Sequence, residues 1–348
     1  MIVHLIDAEW KPKLYTLLTQ LMTERYTASN LSDVMSKLFR KWEISQKVIA
    51  VVTDNAANVI NAVRNMDEVQ KQDGLTCAAH TLQLVVNDVL AFDDIQEICQ
   101  KDRKLVRHFR HSSTATTALQ SKQEQLNMKQ LKLIQSVKTR WNSTFEMLER
   151  LIINRLPISN VLADRNVTAS IMTRKLEITE EQWAQMEELV ILLKPLQMAT
   201  TVFCGNNSSA SIVRPLIWKI IRHHMQSVPK NSALTTTFKN FVYTELQRRF
   251  KLIEWEKFSN VSARLTASFL DPRSKKLEDE SVETRQKIED HIRSLLDAES
   301  INTISNAEDD PEKTASQTAL EFLFYQPVNC LNDAVSTSSL SCGATTEI

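Results

Sequence analysis

Only three glycines, Gly74, Gly205 and Gly343, occur among the 348 residues of this chain. Glycine is the default wherever the backbone must take a left-handed turn or a tight hairpin, so a sequence this poor in it has few such turns to offer. A β-sandwich or barrel is therefore disfavoured, and long helices joined by short polar connectors are expected. The same scarcity excludes the glycine-rich loops that cradle nucleotide phosphates, which need several glycines close together. No nucleotide cofactor is expected.

One stretch reads differently. Val48-Ile49-Ala50-Val51-Val52 is a short apolar, mostly β-branched run that suits a strand buried on both faces. It stops at Thr53-Asp54-Asn55, and Ala56, Ala57, Val59, Ile60 and Ala62 then follow at helical spacing, with the three polar residues available as caps. Asp54 either sits at the carboxyl end of a strand, where open α/β sheets place their ligands, or is no more than a cap. Downstream, Cys77 and His80 open a second helical segment and share one of its faces. Two ligands without a further pair nearby do not make a structural zinc site.

Lysine plus arginine equals aspartate plus glutamate at 42 each, so affinity for nucleic acid has to come from a local patch. The densest basic cluster is Lys101, Arg103, Lys104, Arg107, His108, Arg110 and His111, inside a helical stretch from Asp93 to Met128. It is either a solvated helix face or a surface for phosphate. Arg140-Trp141 leaves a similar choice. The guanidinium can hold a phosphate while the indole stacks on an unpaired base, or the indole lies in the core and Arg140 pairs with a carboxylate.

The remaining pattern is helix after helix. Met1 to Ile6 is expected to pair with the segment after Trp10 as an antiparallel hairpin, and a helix capped by Thr27 or Ser29 runs through Leu31, Val34, Leu38 and Phe39. Thr179 to Gln182 forms a capping box, and Pro195 is expected to kink or end the helix it opens. Further helices are expected over 211–225, 233–250 and 281–298, with a structural turn at Leu270-Asp271-Pro272-Arg273. His223 and His224 point about 100° apart on a helix, which argues against a metal pair. Beyond Asn302 the chain turns polar and is expected to be disordered. No apolar run approaches the ~20 residues that cross a bilayer, no leader pattern opens the chain, and five irregularly spaced cysteines read as reduced thiols of the cytosol or nucleus.

Four motifs, in order, resemble the hAT transposase superfamily, and more narrowly its zinc finger BED domain-containing branch. They are Val51-Val52-Thr53-Asp54-Asn55-Ala56-Ala57-Asn58, Cys77-Ala78-Ala79-His80-Thr81-Leu82-Gln83-Leu84, Lys138-Thr139-Arg140-Trp141-Asn142-Ser143-Thr144 and Ala267-Ser268-Phe269-Leu270-Asp271-Pro272-Arg273. The resemblance covers residues 1 to 276. It implies an α/β plus all-α chain: a truncated ribonuclease H-like core over 1–157, a large helical insertion domain over 158–300 and a disordered tail over 301–348.

Transposases of this family hold two Mg²⁺ or Mn²⁺ ions between three carboxylates. Asp54 matches the second acid; Asp7, at a turn, does not fit the first. The other two acids, the BED finger and the C-terminal dimerisation region are expected to be missing from this chain. By resemblance, Cys77, His80, Arg140 and Trp141 would contact DNA; apart from the resemblance, Lys101, Arg103, Lys104, Arg107 and Arg110 of the basic cluster are the candidates for phosphate contact. The expectation is a domesticated, catalytically incomplete nuclear protein, not an enzyme, with no stably bound cofactor. It would act in DNA, chromatin or protein association, with DNA and nuclear proteins as partners, no membrane and a role in transcription regulation. The rivals are an active transposase or nuclease with metal at Asp54, and a SUMO-ligase-like scaffold as in BED-type relatives.

Overall fold

The computed structural model describes residues 1–9, 11–19, 21–69, 73–137, 139–205, 208–252 and 261–298; the expected tail lies outside them. Thirteen helices and four short strands make up the described residues, in two units that divide between Thr76 and Cys77.

The first unit holds all four strands. β1 (Ile2–Ile6) and β2 (Pro12–Thr16) form the expected antiparallel hairpin, with Ile2 opposite Thr16 and Ile6 opposite Pro12. Its turn is closed by Asp7, whose Oδ1 accepts the backbone N–H groups of Lys11 at 2.8 Å and Glu9 at 3.1 Å. Helix α1 (Ala28–Lys41) is capped by Thr27, which accepts from the Asn30 N–H, and buries Leu38 and Phe39. β3 (Val51–Thr53) crosses over through α2 (Ala57–Arg64) to β4 (Gly74–Thr76), and the two strands run parallel with Val51 opposite Gly74. Phe39, Val63, Met66 and Val69 form the core of this unit.

The strand expected over Val48–Val52 therefore begins three residues late, and it is not buried on both faces, since Val52 is 62% exposed. Only β4 pairs with it among the described residues, so no third strand is there to cover its outer face.

The second unit is helical: α3 (Ala78–Leu90), α4 (Asp93–His111), α5 (Ser113–Gln125), α6 (Trp141–Ile153), α7 (Arg155–Ala163), α8 (Ser170–Leu176), α9 (Glu180–Phe203), α10 (Ala210–His223), α11 (Ala233–Arg249), α12 (Ala263–Leu270) and α13 (Val282–Ala298). One apolar core runs from Leu82 on α3 to Leu252 after α11. The division expected at residue 157 falls inside α7, and Leu151, Ile158 and Val161 on either side of it bury in that same core. The observed change of unit comes where strands give way to helices.

Thr179 and Gln182 complete the expected capping box at the start of α9. The helix then passes through Pro195, so of the two expected outcomes the ending does not occur. The lost backbone bond and ring clash cost about 3 kcal/mol, whereas burying one large aliphatic side chain contributes about 1.5–3 kcal/mol, and Leu192, Leu193, Leu196 and Val202 are all buried around the proline.

A clamp ties α10 to the loop before α13. Arg214, buried on α10, donates from Nη2 to Glu280 Oε2 at 2.8 Å and to the Leu252 carbonyl at 2.7 Å, and Trp218 Nε1 donates to Glu280 Oε1 at 3.1 Å. The turn at Asp271 has the expected structural role: its carboxylate accepts from the Arg273 side chain and backbone and from Ser211 Oγ. The Arg273 hydrogen bond is the main reason that its pKa falls to about 2. His223 and His224 are half-buried, and burial pushes His224 down to about 4.

Candidate nucleic-acid interface

Helix α4 sorts its side chains by its pitch. Ile95, Ile98, Cys99, Leu105, Val106 and Phe109 are buried on the core side, with Asp93 and Asp94 in the first turn and His108, Arg110 and His111 in the last, as the helix dipole favours. At about 100° per residue, Arg103, Arg107, Arg110 and His111 fall within an arc of about 100°, and Lys104 flanks it. Lys101 belongs elsewhere: its Nζ donates to Gln182 Oε1 of α9 at 2.6 Å. The cluster of cations read from the sequence is therefore a row of arginines with one lysine turned away.

An extended segment, Leu131 to Ser136, runs beside this row. Arg103 Nε donates to Ser136 Oγ at 2.8 Å, and Arg110 Nη1 donates to the Leu133 carbonyl at 3.4 Å. Between helix and segment lies an open groove of about 550 Å³, lined by Arg103, Arg107, Arg110, His111, Gln135 and Ser136. No carboxylate lines it. Among the described residues none of the three arginines takes part in an ion pair. Both partners that orient the guanidinium groups are neutral oxygens, so the positive charge is positioned without being cancelled.

Behind the row lies a residue that the sequence reading passed over. Asp102 is 1% exposed, and its Oδ2 has no hydrogen-bond partner. Burial raises its pKa to about 7, with the Lys101 and Arg103 charges opposing that rise. A signal was available, because Asp102 falls on the same stripe as Ile95, Ile98, Cys99, Leu105 and Val106.

Arg140 and Trp141 part company. Trp141 opens α6 and is 2% exposed in the main core, which leaves no indole face for a base in this structure; of the two alternatives, the core placement is the observed one. Arg140 is exposed and stands at the N-cap of this helix. Ser143 fastens the turn, its Oγ donating to the Arg140 carbonyl at 2.6 Å and accepting from the Val137 N–H at 2.7 Å. Gln83 Nε2 donates to the Thr139 carbonyl at 3.1 Å, and Lys138 of this motif lies outside the described residues.

Asp54 follows the carboxyl end of β3, as expected, and is exposed. It does not cap α2, whose N-cap is Ala56; instead its Oδ1 accepts the Ala56 N–H at 3.1 Å in the turn before the helix. Cys77 is the N-cap residue of α3, where its carbonyl accepts from the Thr81 N–H and hydroxyl, both at 2.9 Å, and His80 in the first turn is half-buried. Asp7 is occupied by its hairpin turn and by Lys13 at 3.5 Å, and the Lys11 backbone N–H is the main reason that its pKa is lowered. Among the described residues no group of three or more His, Cys, Asp or Glu side chains is placed to hold a metal ion, so the donor set of a two-metal site does not form from them. No described helix is long and apolar enough to cross a membrane.

Two family models match consecutive parts of the chain: the ZBED1 RNase-like domain over residues 1–81 and the ZBED1 RNase-like helical domain over 75–191. Their junction coincides with the change from strands to helices at Thr76 and Cys77. The chain is similar to zinc finger BED domain-containing protein 4 of Homo sapiens, at 25% identity over 273 residues, covering 78% of this chain and 22% of that protein. It is similar to the putative transcriptional regulator tpeD of Talaromyces stipitatus at 25% identity over 230 residues, covering 57% and 26%. It is also similar to the putative AC transposase of Zea mays at 26% identity over 297 residues, covering 79% and 34%. The chain thus spans about a third or less of the length of these relatives.

Proposed function

Since the chain belongs to the hAT-transposase-derived proteins of the BED zinc-finger type, we propose that it is a nuclear regulator that holds DNA rather than cutting it. On this reading residues 1–76 are part of a ribonuclease H-like domain, and the helices after Cys77 are its insertion, kept as a binding platform. The observation that carries the proposal is the arginine row of α4: three guanidinium groups on one face, two of them oriented by neutral oxygens and none neutralised by a described carboxylate. Unpaired, pre-oriented arginines are suited to phosphate, and in a chain of zero formal net charge they supply the local field that attracts it.

Catalysis has less support. Asp54 is exposed and engaged with its own turn, and the described residues bring no carboxylate set together around a metal. The test pairs binding with chemistry. The chain should bind labelled duplex DNA at low salt, lose that binding when Arg103, Arg107 and Arg110 are all changed to Ala, and leave the duplex uncut in magnesium or manganese. Failure to bind duplex at low salt, or strand cleavage that Asp54→Asn abolishes, would overturn the proposal.

A further inference from the structure

The groove beside α4 permits a narrower statement, which rests on the DNA-holding role above. We propose that it seats the sugar-phosphate backbone of duplex DNA and reads no bases. From Arg103 to Arg110 the row climbs seven residues, about 10.5 Å at ~1.5 Å per residue, which is longer than one phosphate group and extends past a single nucleotide. Opposite it, Gln135 and Ser136 add an amide and a hydroxyl, the side-chain types that accompany arginine at phosphates.

Two negatives in the lining set the class of ligand. Sites for single strands combine a basic groove with aromatic platforms on which unpaired bases stack, and none of the six lining residues is Phe, Tyr or Trp. The indole of the family motifs, Trp141, is in the core. Sequence readers in the major groove rely on a helix or ribbon that projects into it, whereas here the segment 131–136 runs along the arginine face of α4 and is bonded to Arg103 and Arg110. What remains is the regular phosphate array of a duplex, met side-on.

The experiment uses the whole 348-residue chain. Anisotropy titrations with three unrelated duplexes, and with the single strands of each, are run across a series of KCl concentrations. The parent is compared with Arg107→Ala, Arg110→Ala and Arg107→Lys. Arg107 is exposed and outside every described ion pair, so its variants are expected to melt with the parent. The three duplexes should agree within about fivefold, the smallest change that one wrong base pair makes in a base-reading interface. Each Arg→Ala change should flatten the plot of log affinity against log salt by about 0.9, the value of one duplex phosphate contact, and Arg107→Lys should keep the parent slope. Binding that persists with an unchanged slope in both alanine variants would overturn the groove assignment while leaving a DNA-holding role intact. Tighter binding of single strands than of duplexes, a strong preference among the duplexes, or equal displacement by polyglutamate would overturn the duplex-backbone assignment. Absence of any binding would defeat both readings.

Discussion

Changing Asp102 to Asn should make the protein more stable in mild alkali and flatten its dependence on pH. The side chain is 1% exposed, its Oδ2 has no hydrogen-bond partner, and burial lifts its pKa from an ordinary 3.8 to about 7. A rise of about three units means that ionising the acid in the fold costs roughly 4 kcal/mol more than ionising it in the unfolded chain. Because the folded pKa is the higher one, the stabilising contribution is complete below about pH 4 and is lost as pH climbs through about 7. The neighbouring Cys99 thiol does not blur this window: burial first, and the Asp102 charge second, push it up to about 12, so it stays neutral throughout.

Asparagine has no charge to bury, but its amide inherits the unpartnered position of Oδ2, at about 1–3 kcal/mol at every pH. The variant is therefore expected to gain about 1–3 kcal/mol over the parent at pH 8 and to match or trail it at pH 5. Urea unfolding at a series of pH values, followed by circular dichroism, measures both. Parallel stability profiles for parent and variant, with no crossing between pH 5 and 8, would refute the argument and show that Asp102 has a partner or solvent access in solution.

Trp141→Ala should lower stability by about 3–5 kcal/mol, as expected for emptying a buried indole site, while Arg140→Ala leaves it unchanged; chemical denaturation of both separates core from surface. Glu280→Gln should cost about 3–5 kcal/mol by removing the carboxylate charge that faces the buried Arg214 guanidinium, and a melting temperature equal to the parent's would show that the clamp between α10 and its loop contributes little. Thr179→Ala should cost about 1 kcal/mol through loss of the capping box, read from the urea midpoint. Asp54→Asn, at an exposed turn, should change stability by less than about 0.5 kcal/mol and leave duplex affinity as it was; a marked loss of affinity would mean that this carboxylate supports a DNA-contacting loop.

What the sequence revealed, and what it hid, follows from how far along the chain each cause acts. The capping box at Thr179 and the basic cluster of α4 are set within a few residues and were legible in the sequence, although the turning of Lys101 toward Gln182, which leaves a row of arginines, was not. The fate of Pro195 was not, because the apolar contacts that outweigh its missing donor come from other helices of the core. Trp141 left two alternatives open for the same reason: nothing adjacent in sequence says whether an indole at a helix start faces base or core. The division at Thr76 could have been found where β-branched runs stop and the 3.6-residue period takes over, whereas the expected boundary at 157 followed from resemblance and cut through α7. The groove itself needs both scales. Its cationic wall is written in the spacing of Arg103, Arg107 and Arg110, but the neutral oxygens that aim those arginines come from Leu133 and Ser136, more than twenty residues away. A basic helix face becomes a directed site only when a second segment holds its charges without cancelling them, and that second segment is what a linear reading cannot supply.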